Sequence, residues 1–195
     1  GGTGIGGGTM VVNALGDDDA TVQKAAETAI AGLPHERAVP LLTAALSSGG
    51  SQVRVACARL LSKRADKSAV DPLIALMTAP DESDEVRAAA REALKAHHDY
   101  IDLDARKAAA ADTDADNHDA RIAALRVLAA VGDASAPALV TTALKDPNAS
   151  IRIAAARAAA DIGGDAGKKL IEGAKARESD PRTQKQLDLL LQSVR

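Results

Sequence analysis

The chain of 195 residues has no tryptophan, no phenylalanine and one tyrosine, Tyr100. An apolar core must therefore be assembled from Ala, Leu, Val and Ile. Such residues favour helices that approach one another closely and disfavour a sheet sandwich. The single cysteine, Cys57, excludes an internal disulfide and a thiolate metal cluster. No apolar run approaches the ~20 residues of a membrane-spanning helix. Neither sign of charge dominates: 24 Lys and Arg face 27 Asp and Glu, for a net charge of −3. That balance speaks against a strongly nucleic-acid-binding surface overall, though not against a local basic stripe. With 46% hydrophobic and 26% charged residues, the composition is that of a soluble, foldable chain.

Glycine is concentrated at the start. In "GGTGIGGGTM", Gly2, Gly4 and Gly7 spell G-x-G-x-x-G. A dinucleotide-binding loop needs a strand before it, a helix opening in it and an acidic residue at the end of a second strand. The following stretch, "VVNALGDDDATVQKAAETAI", is helical in pattern instead. The expectation is a flexible Gly-rich spacer or cloning remnant over residues 1–9, and one repeat domain over 10–195. Met10 is the first methionine, so a removed leader or an excerpt from a longer protein fits as well. The default location is soluble and cytoplasmic; the alternative is a protein exported or anchored through a missing N-terminus.

The rest of the chain repeats. "VQKAAETAI" starts at Val22, "VRVACARLL" at Val53, "VRAAAREAL" at Val86, "ARIAALRVL" at Ala120, "IRIAAARAA" at Ile151 and "PRTQKQLDL" at Pro181, with steps of 31, 33, 34, 31 and 30 residues. Counting from these anchors, positions 0, +3, +4 and +7 are mostly small or aliphatic, a helical stripe. Each such B helix follows an A helix such as "AVPLLTAAL", "AVDPLIALM" or "ASAPALVTTAL", whose prolines Pro40, Pro72 and Pro137 suit a first turn. Polar turns between A and B, among them "GDDDAT", "APDESDE" and "KDPNAS", offer Asp, Ser and Asn as caps. Gly32, Gly132 and Gly163 follow B helices, where a left-handed residue stops the turn. Helix pairs of this kind bury their faces by stacking. The fold class expected is all-α, a solenoid of about six stacked antiparallel helix pairs.

The stretches "DPNASIRIAAARAAADIG", "GDAGKKLIEG" and "AVPLLTAALSSGGSQVRVACARLL" resemble HEAT-like repeats of the phycobilisome-lyase type, over about residues 10–195. The resemblance implies a right-handed superhelix with the B helices on its concave side. It also implies a structural Asp–Arg ladder through Arg54, Arg87, Arg121, Arg152 and Arg182, with Asp81 and Asp146 as partners. Members of that family include adaptors, bilin-lyase subunits, a di-iron hydroxylase and DNA glycosylases, and fold alone does not select among them.

No catalytic, cofactor-binding or metal-binding residue is assigned, and the chain reads as a non-enzyme. His35-Glu36 and His118-Asp119 do not supply the several converging pairs that a di-iron site needs. In "DTDADNHD", Asp112, Asp114 and Asp116 have calcium-loop spacing, but Asn117 replaces the glycine and Ala123 the bidentate glutamate. "GGDAGKK" follows a helix rather than a strand and has Lys169 where a phosphate loop needs Ser or Thr. "HHDY" at 97–100 reads as an exposed loop between repeats, and Cys57 as a small core residue.

Positions +2 and +6 of the B helices lie about 200° and 240° round from the core direction. They pair Val55 with Arg59, Ile122 with Arg126 and Ile153 with Arg157, while repeat three breaks the pattern with Ala88 and Glu92. Aliphatic patches rimmed by arginine suit a protein-binding surface. The expected function is a scaffold that binds a protein or peptide on its concave face through these six residues, with no cofactor. The alternatives are a bilin-lyase-like subunit or tetrapyrrole chaperone, and a nucleic-acid-binding HEAT-like protein. The lack of Trp and Phe to stack on a base counts against the last.

Overall fold

A computed structural model of the chain describes residues 4–194. Among these residues there are twelve α-helices and no strand. The helices fall into six pairs: α1 Gly4–Asn13 with α2 Ala20–Ala31, α3 His35–Ser48 with α4 Ser51–Leu61, and α5 Lys67–Thr78 with α6 Asp84–Ala96. Then come α7 Leu103–Ala111 with α8 His118–Val131, α9 Ala136–Ala143 with α10 Ala149–Ile162, and α11 Gly164–Lys175 with α12 Pro181–Ser193. This is the all-α, helix-pair solenoid class that the periodicity predicts.

The start differs from the expectation. Residues 1–3 of the anticipated spacer, Gly2 of the glycine motif among them, lie outside the described residues, but helix α1 already begins at Gly4 and takes in Gly7. Glycine is a poor helix former, at about 1 kcal/mol below alanine per residue, so packing must hold this helix. Val12 and Leu15 are buried. A Cβ on Gly8 would stand 2.8 Å from Leu41 Cδ2, so the glycine lets α1 lie close against α3.

The polar turns behave as caps. Asp19, Ser83, Asn148 and Asp180 accept the first free amides of α2, α6, α10 and α12, and Asp66 and Asp102 do the same for α5 and α7. Each side-chain oxygen occupies a donor that the helix start leaves unpaired. Gly132 ends α8 with φ 74°, a left-handed stop, and Gly163 ends α10 with φ 72°. Gly32 stays right-handed at φ −80°. The prolines are less uniform than predicted. Pro137 lies in the first turn of α9, but Pro40 and Pro72 lie inside α3 and α5, which begin about a turn earlier at His35 and Lys67.

The chain divides into two compact units, Gly1–Ile101 and Asp102–Arg195, each holding three helix pairs. In the first, α4 packs beside α6 and α3 beside α5, and Leu42, Leu61, Leu73, Met77 and Leu94 are fully buried. In the second, α10 lies between α8 and α12. There an alanine-rich cluster surrounds Leu125, Leu128, Ile151, Ile171 and Leu187. Small alanines let the B helices close on one another, and the leucines and isoleucines fill the layer beneath.

Candidate functional site

The B helices α4, α6 and α10 bury their anchors Val53, Val86 and Ile151, Val22 of α2 is exposed, and in α8 and α12 burial reveals a register that differs from the sequence count. In α8 the buried stripe is Arg121, Ala124, Leu125 and Leu128, one residue later than Ala120, which is exposed. In α12 the buried anchor is Thr183, two residues after Pro181. Both shifts follow from the turns: the 3-10 turn Ala115–Asn117 lengthens the entry to α8, and Asp180 caps α12 through Thr183.

These shifts reshape the predicted aliphatic–arginine stripe. Val55 is only 6% exposed and Arg126 only 5%, so both are core residues and not surface ones. Arg126 lies in a stretch of α8 that is buried without a break from Ala124 to Ala130, so no face of that stretch is left to solvent. Its Nε donates to Asp161 Oδ2 at 2.6 Å, joining α8 to α10. Ile122 is half-buried and packs against the cluster of the second unit. Ile153 and Arg157 of α10 are half-buried. Arg59, in the first unit, has a 68% exposed side chain 3.6 Å from Glu85 Oε1 of α6. The surface that remains from the predicted set is Ile122, Ile153 and Arg157 on the neighbouring helices α8 and α10, with Arg59 in the other unit.

Three of the five arginines one past the anchors counted in the sequence, Arg54, Arg121 and Arg152, form rungs. Arg54 Nη2 reaches Glu82 Oε2 at 3.0 Å, Arg121 Nη1 reaches Asp146 Oδ2 at 2.6 Å, and Arg152 grips Glu178 through two bonds of 2.7 and 3.0 Å. Each acid lies in the A–B turn of the following repeat. The same guanidinium groups donate to carbonyls of their own pair: Arg121 to Ala110 in the last turn of α7, and Arg152 to Asp146 and Pro147 in the turn before α10. A single side chain thus ties the negative end of one helix to the turn of the next pair. Asp146 is the acceptor expected; the partner of Arg54 is Glu82 rather than Asp81. Arg87 pairs within its own turn with Asp84 at 2.6 Å. Arg182 is exposed, because the ladder position of the last pair is Gln184, whose Nε2 donates to the Glu178 carbonyl.

Charge follows the rungs. Burial pushes the Asp146 carboxyl up, but the Asn148 amide and the Arg121 guanidinium outweigh it and hold the group below the usual aspartate range. The Arg152 hydrogen bond holds Glu178 low, and Glu178 in turn raises Arg152. Glu82, Asp161 and Glu178 were not singled out by sequence reasoning. The signal for Glu82 and Glu178 is an acid 28 and 26 residues after a B-helix arginine.

The remaining candidates resolve as structure. Asp112 and Asp114 accept the amides of Asp114 and Asp116, building the turn before α8. Among the described residues no three His, Cys, Asp or Glu side chains converge on a metal-sized site. His97 is no exposed loop residue: it is fully buried at the end of α6, with Nδ1 2.8 Å from the Ala93 carbonyl. His98 is exposed beside Asp99. Cys57 is buried, and burial pushes its thiol up to about 12. Among the described residues no helix is long and apolar enough to cross a membrane.

A family model of HEAT repeats matches residues 9–95 and 104–190. The chain belongs to the HEAT-repeat family. The arginine rungs are therefore ties between successive HEAT pairs, and the fold is a repeat scaffold typical of protein-interaction modules. No curated protein matches the chain. Among solved structures, an engineered protein is 21% identical over 95% of this chain and 97% of its own, with a TM-score of 0.40. A computationally designed armadillo repeat protein for modular peptide recognition is 16% identical over 96% of this chain and 99% of its own, with a TM-score of 0.41.

Proposed function

We propose that this HEAT-repeat protein is a non-enzymatic scaffold that binds a protein or peptide segment on the B-helix surface of its second unit. The observation that carries the reading is the half-exposed pair Ile122 and Ile153 on adjacent helices, with Arg157 one turn from Ile153. A β-branched residue facing partly into water on two neighbouring helices offers an apolar contact that a partner side chain can complete. An arginine beside it selects for a carboxylate. The partner class is thus an aliphatic segment with an acidic residue. Buried Val55 and Arg126 serve the scaffold rather than the partner. The narrower kinship with phycobilisome-lyase-type repeats rests on the "DPNASIRIAAARAAADIG" pattern and adds no ligand to this reading.

A displayed peptide library selected on the intact chain tests it. The expected consensus is an aliphatic residue near an Asp or Glu. Binding of the selected peptide should fall at least tenfold, about 1.4 kcal/mol, in Arg157→Glu and in Ile153→Asp, with the circular dichroism of each variant unchanged. Peptides whose binding ignores both substitutions would move the site elsewhere.

A further inference from the structure

The second unit holds one histidine, His118, the first residue of α8. His35, His97 and His98 belong to the first unit, as does the cysteine. His118 is thus the one side chain of the second unit whose ordinary change of charge falls between about pH 5 and 8. Its half-buried ring bridges two helix pairs: Nδ1 is 3.0 Å from Nδ2 of Asn148, the residue before α10. A second bond fixes the roles in the first. Asn148 Oδ1 accepts the Ser150 amide at 2.8 Å as the cap of α10. The amide oxygen is therefore engaged, and the group facing His118 is the NH2, which only donates. Nδ1 must accept, so the imidazole is neutral with its proton on Nε2.

Proton uptake reverses this. A solvent proton on Nδ1 sets N–H against N–H, and the amide cannot turn its oxygen round without giving up the cap. The charged groups nearby offer the cation no ready seat. Asp146 of the α9–α10 turn feels a charge on His118, but its Oδ1 holds the Asn148 amide and its Oδ2 the Arg121 guanidinium. Arg121 and Arg152, about one turn into the two helices, and Lys145 of the same turn are cations that oppose a further one. On the entry to α8, Asp112 and Asp114 are engaged in building the turn, and Asp116 and Asp119 face water. Helix α7 carries Asp104, Arg106 and Lys107 in its first half and only alanine after them, and α9 carries no charged residue.

Ile122 stands one turn after His118 on the same face of α8, and Ile153 lies in the second turn of α10. The bridge thus ties the two helices together at one end of the aliphatic pair. We propose that His118 is a proton-operated tie for the binding surface of the second unit. Uptake of one proton at Nδ1 frees the start of α10 from that of α8 and weakens the hold on a segment bound across Ile122 and Ile153. The binding half of this rests on the scaffold reading above; the tie itself does not.

Ring-nitrogen NMR and hydrogen exchange on the intact chain test the tie without a partner. At about pH 7.5, Nδ1 of His118 should give a lone-pair signal and Nε2 an N–H signal. At about pH 5.5, the amides in the first two turns of α10 should exchange faster in wild type than in His118→Gln at the same pH, because the glutamine oxygen accepts from Asn148 and takes up no proton. Asn148→Asp keeps the cap and turns the donor into an acceptor, so it should stay protected at the lower pH. A proton on Nδ1 at the higher pH, or equal exchange in wild type and His118→Gln at the lower, overturns the tie. The peptide selected above, whose carboxylates stay largely ionised at both pH values, should bind wild type about fivefold more weakly at the lower pH and His118→Gln equally at both. Equal wild-type affinity at the two pH values overturns the control of binding. Should no peptide bind even at the higher pH, the scaffold reading falls and the control with it, while the ring and exchange measurements still decide the tie.

Discussion

Asp66 shows how much one side chain carries in this fold. It caps α5 by accepting the Ser68 amide at 2.8 Å and the Ser68 hydroxyl at 2.6 Å, and His35 of the preceding pair lies 3.1 Å from its other oxygen. These bonds, the Ser68 hydroxyl foremost, hold its carboxyl down to about 2, from an ordinary 3.8. A depressed carboxyl contributes stability that is fully present above its unfolded value. That contribution is lost as pH falls through the folded one. Urea unfolding at a series of pH values should therefore show wild type more stable than Asp66→Asn above pH 3.8, with the gap closing as pH falls toward about 2. A gap that stays constant across that window would remove the ionised cap from the account. The cap was legible as a residue type. Its link to His35, 31 residues away, was not, because no local pattern marks which loop residues face each other across stacked pairs.

At the scale of helices and turns, the rungs differ by burial more than by length. The Arg121 and Asp146 side chains are nearly sequestered from water, whereas Arg59 and Glu85 are largely exposed. Removing one partner of a buried pair strands a charge, at a cost of about 3–5 kcal/mol, while an exposed pair is worth about 0–1 kcal/mol. Arg121→Ala should thus lower the stability read from urea midpoints severalfold more than Arg59→Ala. Arg121→Met combined with Asp146→Asn should recover much of the loss, since no charge is then left unpaired. Equal effects for Arg121→Ala and Arg59→Ala would show that the rung is ornamental. The arginine spacing was legible in the sequence, and so was Asp146 as an acceptor. The register of α8 and α12 was not. An anchor residue is recognised as apolar, and in these helices the structure buries Arg121 and Thr183 there instead. Both find polar partners in turns that the linear pattern does not count, Asp146 for Arg121 and Asp180 for Thr183.

At the scale of the whole molecule, each unit supplies its own core. The second unit's cluster draws on residues 103–194 alone, from Leu103 to Val194, with Leu125 near-fully buried within it. Leu125→Ala removes buried methyl groups and leaves a cavity, which costs about 2–5 kcal/mol. Hydrogen exchange should then quicken across the amides of 103–194 more than across those of 4–101. A uniform increase along the chain would contradict a separate core for that unit.

The sequence by itself determined the helix pairs, the alanine-built packing, the capping turns and the repeat spacing. Each depends on residue type at short range: helical periodicity, a free amide to cap, the absence of aromatic side chains. Only the tertiary structure decided the inward register where the linear count fails, in α8 and α12, whereas α6 and α10 bury the stripe that the sequence marks. It put Val55 and Arg126 in the core and left Ile122, Ile153 and Arg157 part-exposed. It also extended helix back to Gly4, where composition suggested a spacer, because Val12 of that helix is buried and Gly8 lets the helix lie close against Leu41 of α3. Burial is a property of the neighbours a residue acquires, and in a stacked fold those neighbours are about 30 residues away along the chain.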